Sequence, residues 1–249
     1  MKTSIQLKLS EIEKTHGIKI LYSCESGSRA WGFPSPDSDY DVRFVYTRTL
    51  DDYLTIRPKK DHLSFPINDE LDVSGWDISK VLQLIGKSNT TPFEWLQSPV
   101  LYKEEKLFKD ELWKLCQHYF CPRSNIHHYL GIAHGAMKTM QEEDIKIKKL
   151  FYVLRPLLAA LWCAERNTIA PMSIFPLMNL LSEDLRKKLL SLIELKSTAN
   201  EYFLIKIDQD IKTWTVQTFD DCTKASQKMD QKTFDIERAN EFFRKTIRA

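Results

Sequence analysis

Glycine is scarce in this chain of 249 residues: there are seven, where average usage near 7% would give roughly seventeen. A chain so poor in glycine has no Gly/Ser linker, and each glycine that remains marks a backbone requirement. Three of the seven, Gly17, Gly27 and Gly32, fall within the first 32 residues. Long apolar runs are missing too. The longest nearly apolar stretch, 156–164, is about half of the ~18–20 residues that cross a bilayer. The N-terminal segment interleaves charge with apolar residues and has no signal-peptide core. Cysteine is limited to five residues without CxxC spacing, an odd number that fits a reducing cytoplasm rather than a disulfide framework. Charge of one sign is not in excess either. The 36 basic and 34 acidic residues leave +2, so no global field argues for nucleic acid and only a local basic patch can.

What is present divides near residue 105. Residues 1–105 carry 13 basic and 16 acidic side chains, and residues 106–249 carry 23 and 18. The first part holds short β-branched and aromatic runs at 18–23, 40–46, 62–67 and 70–76, broken by Pro, Gly, Asn and Asp, which predict strands. Helical patterns at 4–15 and 78–87 flank them, the second with Asp77 as N-cap. The later part has apolar residues at three- and four-residue spacing over 107–120, 126–140, 147–164, 182–195, 200–229 and 234–247, which predicts amphipathic helices. The expectation is an α+β fold: a first domain over 1–105, a small sheet with flanking helices, then an all-helical domain over 106–249.

The chemistry concentrates in ILYSCESGSRAWGFPSPDSDYDVRFVY, residues 20–46. A strand runs into Gly27-Ser28, a turn rich in Gly, Pro and Ser follows, and the chain re-enters a strand at Asp39-Tyr40-Asp41-Val42. Side chains alternate across a strand, so Asp39 and Asp41 share one face. Two adjacent carboxylates repel unless a cation lies between them, and oxygen-only ligands favour Mg²⁺ or Mn²⁺ over zinc. A Gly-Ser turn after a strand offers backbone N–H groups and a hydroxyl to phosphate oxygens, with Arg29 adding charge. Asp37 could shift the pair by two residues, but Asp37-Ser38-Asp39 lacks a buried face.

Gly-Ser, ten residues, then Asp-apolar-Asp-apolar resembles the signature of the DNA polymerase β nucleotidyltransferase superfamily. SGSRAWGFPSPDSDYDVRFVY, followed by GWDISKVLQLIGKSN, EWLQSPVLY and KLFYVLRPLLAALW, is similar more narrowly to the bacterial and phage family associated with RNA-repair gene clusters. The likeness covers most of residues 24–162. It implies a polymerase-β-like palm, a nucleoside triphosphate (NTP) partner, Mg²⁺ (or Mn²⁺) and a two-metal transfer of a nucleoside monophosphate with pyrophosphate release, with RNA as the expected acceptor. Modification of a protein or small molecule is an alternative, and a catalytically silent nucleotide- or RNA-binding module is another. On this resemblance Gly27 and Ser28 bind phosphate, and Asp39 and Asp41 bind metal. A third carboxylate is expected on a neighbouring strand. Asp72, flanked by Leu71 and Val73, is the candidate, and Asp77 is the rival.

Other clusters have plainer readings. Cys116, His118, Cys121, His127 and His128 fit no standard four-ligand zinc spacing, so buried thiols and surface histidines are expected. Lys149, Tyr152 and Arg155 recur at three-residue spacing just before Pro156. Their default reading is a solvated stripe; the resemblance makes them a candidate face for nucleotide phosphate or acceptor, with the Arg155 fork best suited to phosphate. Lys80 and Asn89 also match family-like positions, Lys80 with an ion pair as its plain role.

Overall fold

The computed structural model describes every residue except 68, 69, 143, 201 and 249, and for 139 and 141 only the backbone. In chain order the first elements are α1 (Lys2–His16), β1 (Lys19–Glu25), α2 (Gly27–Trp31), β2 (Tyr40–Thr47) and α3 (Leu50–Tyr53). Next come β3 (His62–Ser64), β4 (Leu71–Asp77), α4 (Ile78–Gly86), α5 (Thr90–Trp95), β5 (Leu101–Glu104) and α6 (Phe108–His118). The remainder comprises α7 (Pro122–Met137), β6 (Asp144–Lys146), α8 (Ile147–Arg166), α9 (Ile174–Leu177), α10 (Glu183–Thr198), β7 (Leu204–Lys206), α11 (Gln209–Gln227) and α12 (Glu237–Thr246). The fold is α+β, and among the described residues no helix is long and apolar enough to cross a membrane.

The chain forms two compact units, and neither is contiguous. One comprises Met1–Gly27, Asp39–Tyr119 and Thr233–Ala249, the other Ser28–Ser38 and Phe120–Lys232. A cut at residue 105 falls inside the first unit. There α6 is followed by an aromatic cluster in which Tyr119 packs against Phe234 and its hydroxyl donates to the carbonyl of Asp235 at 2.7 Å. That bond ties the C-terminal segment to the sheet-bearing unit.

The first unit holds a five-stranded mixed sheet of order β3-β4-β2-β1-β5, parallel only between β2 and β4. Helix α1 places Ile5, Leu9 and Ile12 on one side at four- and three-residue spacing, and they pack with Ile20, Val42, Phe44, Tyr46, Val73 and Tyr102. The helix ends at Gly17, whose φ of 60° closes a left-handed cap with its N–H on the Glu13 carbonyl. With Val42, Phe44 and Val73 committed to this core, alternation sends Asp41, Arg43 and Asp72 to the opposite face of the sheet. A register shift in β1 between Ile20 and Tyr22 is a bulge, and beyond it Glu25 comes opposite Val42 and returns to the core side.

In the second unit α7 and α11 pack on α8, which buries Leu150, Leu154, Leu157 and Leu158 along its length. Pro156 sits inside α8 at the loss of one backbone donor. This part is not all-helical: β6 and β7 form a short antiparallel pair with Ile145 opposite Ile205. The predicted helix over 200–229 therefore starts later, at Gln209, where the Asp208 side chain accepts from Asp210 N–H as an N-cap.

Candidate active site

The first unit brings two of the three expected carboxylates together. Asp41 and Asp72 are direct partners in the parallel β2–β4 register, so their side chains leave the sheet side by side. Arg43, two residues along β2 on the same face, lies between them. Its Nη2 donates to Asp41 Oδ1 at 2.9 Å and to Asp72 Oδ2 at 2.7 Å, while Nη1 donates to the carbonyls of Asp72 and Val42 at 3.0 and 3.1 Å. A single guanidinium nitrogen thus occupies the point on which both carboxylates converge. Two facing carboxylates are stable only with positive charge between them, and here the chain supplies it. Sequence reading missed Arg43, although its i+2 spacing from Asp41 signals the same face.

Glu25 is a second residue that the sequence alone did not single out. Its carboxylate is buried, and Oε1 accepts the backbone N–H of Asp41 at 2.7 Å while Oε2 accepts the Tyr102 hydroxyl. The Glu25 carbonyl in turn accepts from Ser98 Oγ at 2.7 Å. A buried acceptor on the Asp41 amide fixes the backbone from which that side chain projects.

Gly27 stands against Asp41. The Ser26 N–H donates to the Asp41 carbonyl at 2.8 Å, so the turn leaves β1 beside the start of β2. Gly27 has φ +59°, and a Cβ there would lie 1.9 Å from Asp41 Oδ2 and 2.7 Å from its Cγ. Only glycine satisfies both the left-handed backbone and the closeness of the carboxylate. Asp39 is half-buried one residue before β2, where the neighbouring Tyr40 N–H extends the ladder to the Glu70 carbonyl at 2.7 Å. Among the described residues, no three Asp, Glu, His or Cys side chains converge closely enough to hold a metal ion.

Asp77 lies at the far end of β4, opposite Tyr46, with 2% exposure. It caps α4: Oδ1 accepts from Ser79 N–H at 2.9 Å and Ser79 Oγ at 2.7 Å, and Oδ2 accepts the Tyr53 hydroxyl at 3.1 Å. Burial pushes the Tyr53 phenol well above its ordinary range, with the Asp77 charge adding to the rise. Lys80 pairs with Asp61 at 3.6 Å and lies 5.1 Å over the Trp76 ring. Asn89 is an N-cap, its Oδ1 accepting from Thr91 N–H at 3.0 Å.

The other expected residues belong to the second unit. Ser28 Oγ donates to Ser38 Oγ at 3.1 Å, and Arg29 Nη2 donates to the Ser38 carbonyl at 2.7 Å, so both ends of the 28–38 segment are tied together. The stripe on α8 divides. Arg155 is 3% exposed, with Nε and Nη2 donating to the Met172 carbonyl at 3.3 and 3.0 Å and its guanidinium 5.0 Å from the Trp31 ring. Lys149 is exposed, and Tyr152, half-exposed, meets Trp31 edge-on at 5.7 Å. The five cysteines are all buried without disulfides. Burial raises the Cys116 thiol well above its ordinary value and pushes Cys222 up to about 12.

Residues 1–245 match the family described as RlaP, RNA repair pathway DNA polymerase beta family. The chain belongs to this family. Over 204 residues the RlaP-family chain is 44% identical to the uncharacterized protein YcgL of Bacillus subtilis (strain 168), covering 81% of this chain and 78% of that one. A solved nucleotidyltransferase-like protein from Exiguobacterium sibiricum 255-15 aligns over 90% of this chain and 74% of its own, with 11% identity and a TM-score of 0.33. Membership of a DNA polymerase β family supports nucleotidyl transfer as the chemistry of the RlaP-family chain.

Proposed function

We propose that this protein transfers a nucleoside monophosphate from an NTP to a hydroxyl group on RNA, releasing pyrophosphate. The observation that carries the reading is the convergence of Asp41 and Asp72 on one cation position, backed by a glycine that leaves room for the Asp41 carboxylate. In the transfer, the acceptor oxygen bonds to the α-phosphorus as the bond from that phosphorus to the oxygen bridging the β-phosphorus breaks. The acceptor proton passes to a carboxylate oxygen of Asp72. Gly27 would take triphosphate oxygens in the first unit, and Ser28 and Arg29 are the phosphate-binding candidates of the second.

The donor set fits a hard divalent cation, because the candidate ligands are carboxylate oxygens and their convergence point already selects positive charge. Asp41 and Asp72, the two carboxylates that converge, would hold Mg²⁺ or Mn²⁺, which would supply Lewis-acid activation of the hydroxyl and charge neutralisation at the phosphates, while Asp39, the third expected ligand, does not converge with them. Arg43 aligns Asp41 and Asp72, and Glu25 fixes the Asp41 backbone beneath them. Buried Arg155 is held by the Met172 carbonyl and lies over the Trp31 ring. RNA as acceptor draws support from the family description and from the basic balance of residues 106–249. A reducing, cytoplasmic setting agrees with five buried thiols.

The test incubates the purified protein with Mg²⁺, each α-labelled NTP in turn and single-stranded RNA. Label on RNA with stoichiometric pyrophosphate is the expected result. Label on protein, or binding of NTP without turnover, overturns the RNA-transferase reading.

A further inference from the structure

At the start of α8 the second unit carries a cavity of about 370 Å³ lined by Lys146, Lys148, Lys149, Tyr152 and Tyr202. This volume is within the roughly 300–1,000 Å³ of pockets that hold small ligands. Its lining is unusual in kind, with three ammonium groups and two phenol rings and, among the described residues, no carboxylate. Lys146 is the N-cap of α8, Lys148 and Lys149 lie in its first turn, and that turn contains no acidic residue. A helix start favours anions, so basic residues crowded there are repelled by the peptide dipoles as well as by one another.

The aromatic members are pre-placed. Lys146 Nζ lies 4.4 Å from the Tyr202 ring centroid, holding a ring that is otherwise 71% exposed. Tyr152 is braced edge-on at 5.7 Å by Trp31, which itself rests on Arg155. Trp31 is the last residue of α2, the helix that also contains Ser28 and Arg29. A side-chain contact therefore links this cavity to the segment assigned to triphosphate.

We propose that this cavity is a subsite for a single-stranded polynucleotide, taking a phosphodiester on the lysines and an unstacked base on the Tyr152 and Tyr202 rings. Lysines track phosphate without reading sequence, and exposed phenol rings stack on any base. A free NTP offers the same phosphate and base, but it arrives with Mg²⁺, and the described lining has no carboxylate to receive the metal. The proposal deepens the RNA-transfer reading by naming where the acceptor strand is gripped, and it rests on that reading for the link to catalysis.

The test measures binding of a fluorescently labelled single-stranded oligoribonucleotide to the full chain across a salt series, with labelled ATP binding in Mg²⁺ measured in parallel. Lys148→Ala is expected to weaken oligonucleotide binding several-fold and to lower the slope of log affinity against log salt by about 0.7. Tyr202→Ala is expected to weaken it about tenfold, and Tyr202→Phe, which keeps the stacking face, to restore it. ATP binding stays at the wild-type level in all three. Unchanged oligonucleotide binding in Lys148→Ala and Tyr202→Ala overturns the proposal, and so does loss of ATP binding in step with the oligonucleotide, which would make the cavity an NTP site. If these variants lose oligonucleotide binding while the wild type transfers no nucleotide, the subsite stands and the transferase reading falls.

Discussion

Gly27→Ala is the perturbation whose size follows most directly from the structure. Two costs add. The residue sits at φ +59°, where a side-chain-bearing residue pays about 1–2 kcal/mol relative to glycine. The new Cβ would also stand 1.9 Å from Asp41 Oδ2, which forces the carboxylate to turn. Turning it breaks the 2.9 Å bond from Arg43 Nη2, a pair in which the two side chains are 17% and 27% exposed, worth about 0.5–1 kcal/mol at such partial exposure. The expected loss is therefore about 1.5–3 kcal/mol, together with a displaced Asp41 and loss of nucleotide transfer beyond the loss of folded protein. Gly135→Ala is the control. Gly135 lies in the last turn of α7, and a methyl group there would meet nothing within 4 Å, so alanine there is neutral or gains up to about 1 kcal/mol of helix stability. Urea denaturation of wild type and both variants, with a common m-value, measures the difference. A Gly27→Ala midpoint equal to wild type, or equal shifts at the two glycines, would refute the close approach of Gly27 to Asp41.

Two further outcomes follow from the charges. Arg43→Gln leaves Asp41 and Asp72 facing each other without their shared cation; it is expected to lose about 1–3 kcal/mol without divalent ions and to recover much of that with Mg²⁺, because bound metal replaces the missing charge. Thermal melts with EDTA and with Mg²⁺ measure this, and a deficit independent of Mg²⁺ would contradict a cation position between the carboxylates. Arg155→Met removes both donors from the Met172 carbonyl and the cation from beneath Trp31, so it is expected to destabilise by about 2–4 kcal/mol. A stable Arg155→Met protein with weakened ATP binding would instead assign Arg155 to phosphate.

Much of the sheet was legible because it rests on period-two alternation, but the carboxylate pair read from alternation was Asp39 with Asp41, and Asp72 entered only through the family resemblance. Asp41-Val42 and Asp72-Val73 each set a carboxylate beside a core residue, and parallel pairing then brings the two carboxylates together. The capping role of Asp77 followed from its place before an apolar helical run. What escaped the sequence was non-local. Nothing near Glu25 in the chain announces a bulge that turns it beneath Asp41, and Tyr102 reaches it from 77 residues away. The stripe at 149, 152 and 155 looked like one face, yet residues six apart lie some 600° around a helix, or about 120° once full turns are removed. Arg155 accordingly turns inward while Lys149 stays exposed. The β6–β7 pair was hidden because Ile145 and Ile205 belong to three-residue strands too short for an alternation pattern.

The central claim is that the Asp41 carboxylate carries nucleotidyl transfer. Its most direct test is transfer from α-labelled NTP to RNA by wild type and by Asp41→Asn, a substitution that keeps the shape and removes the charge. The account predicts no detectable transfer by a variant whose circular dichroism matches wild type. Wild-type turnover in that folded variant would contradict it.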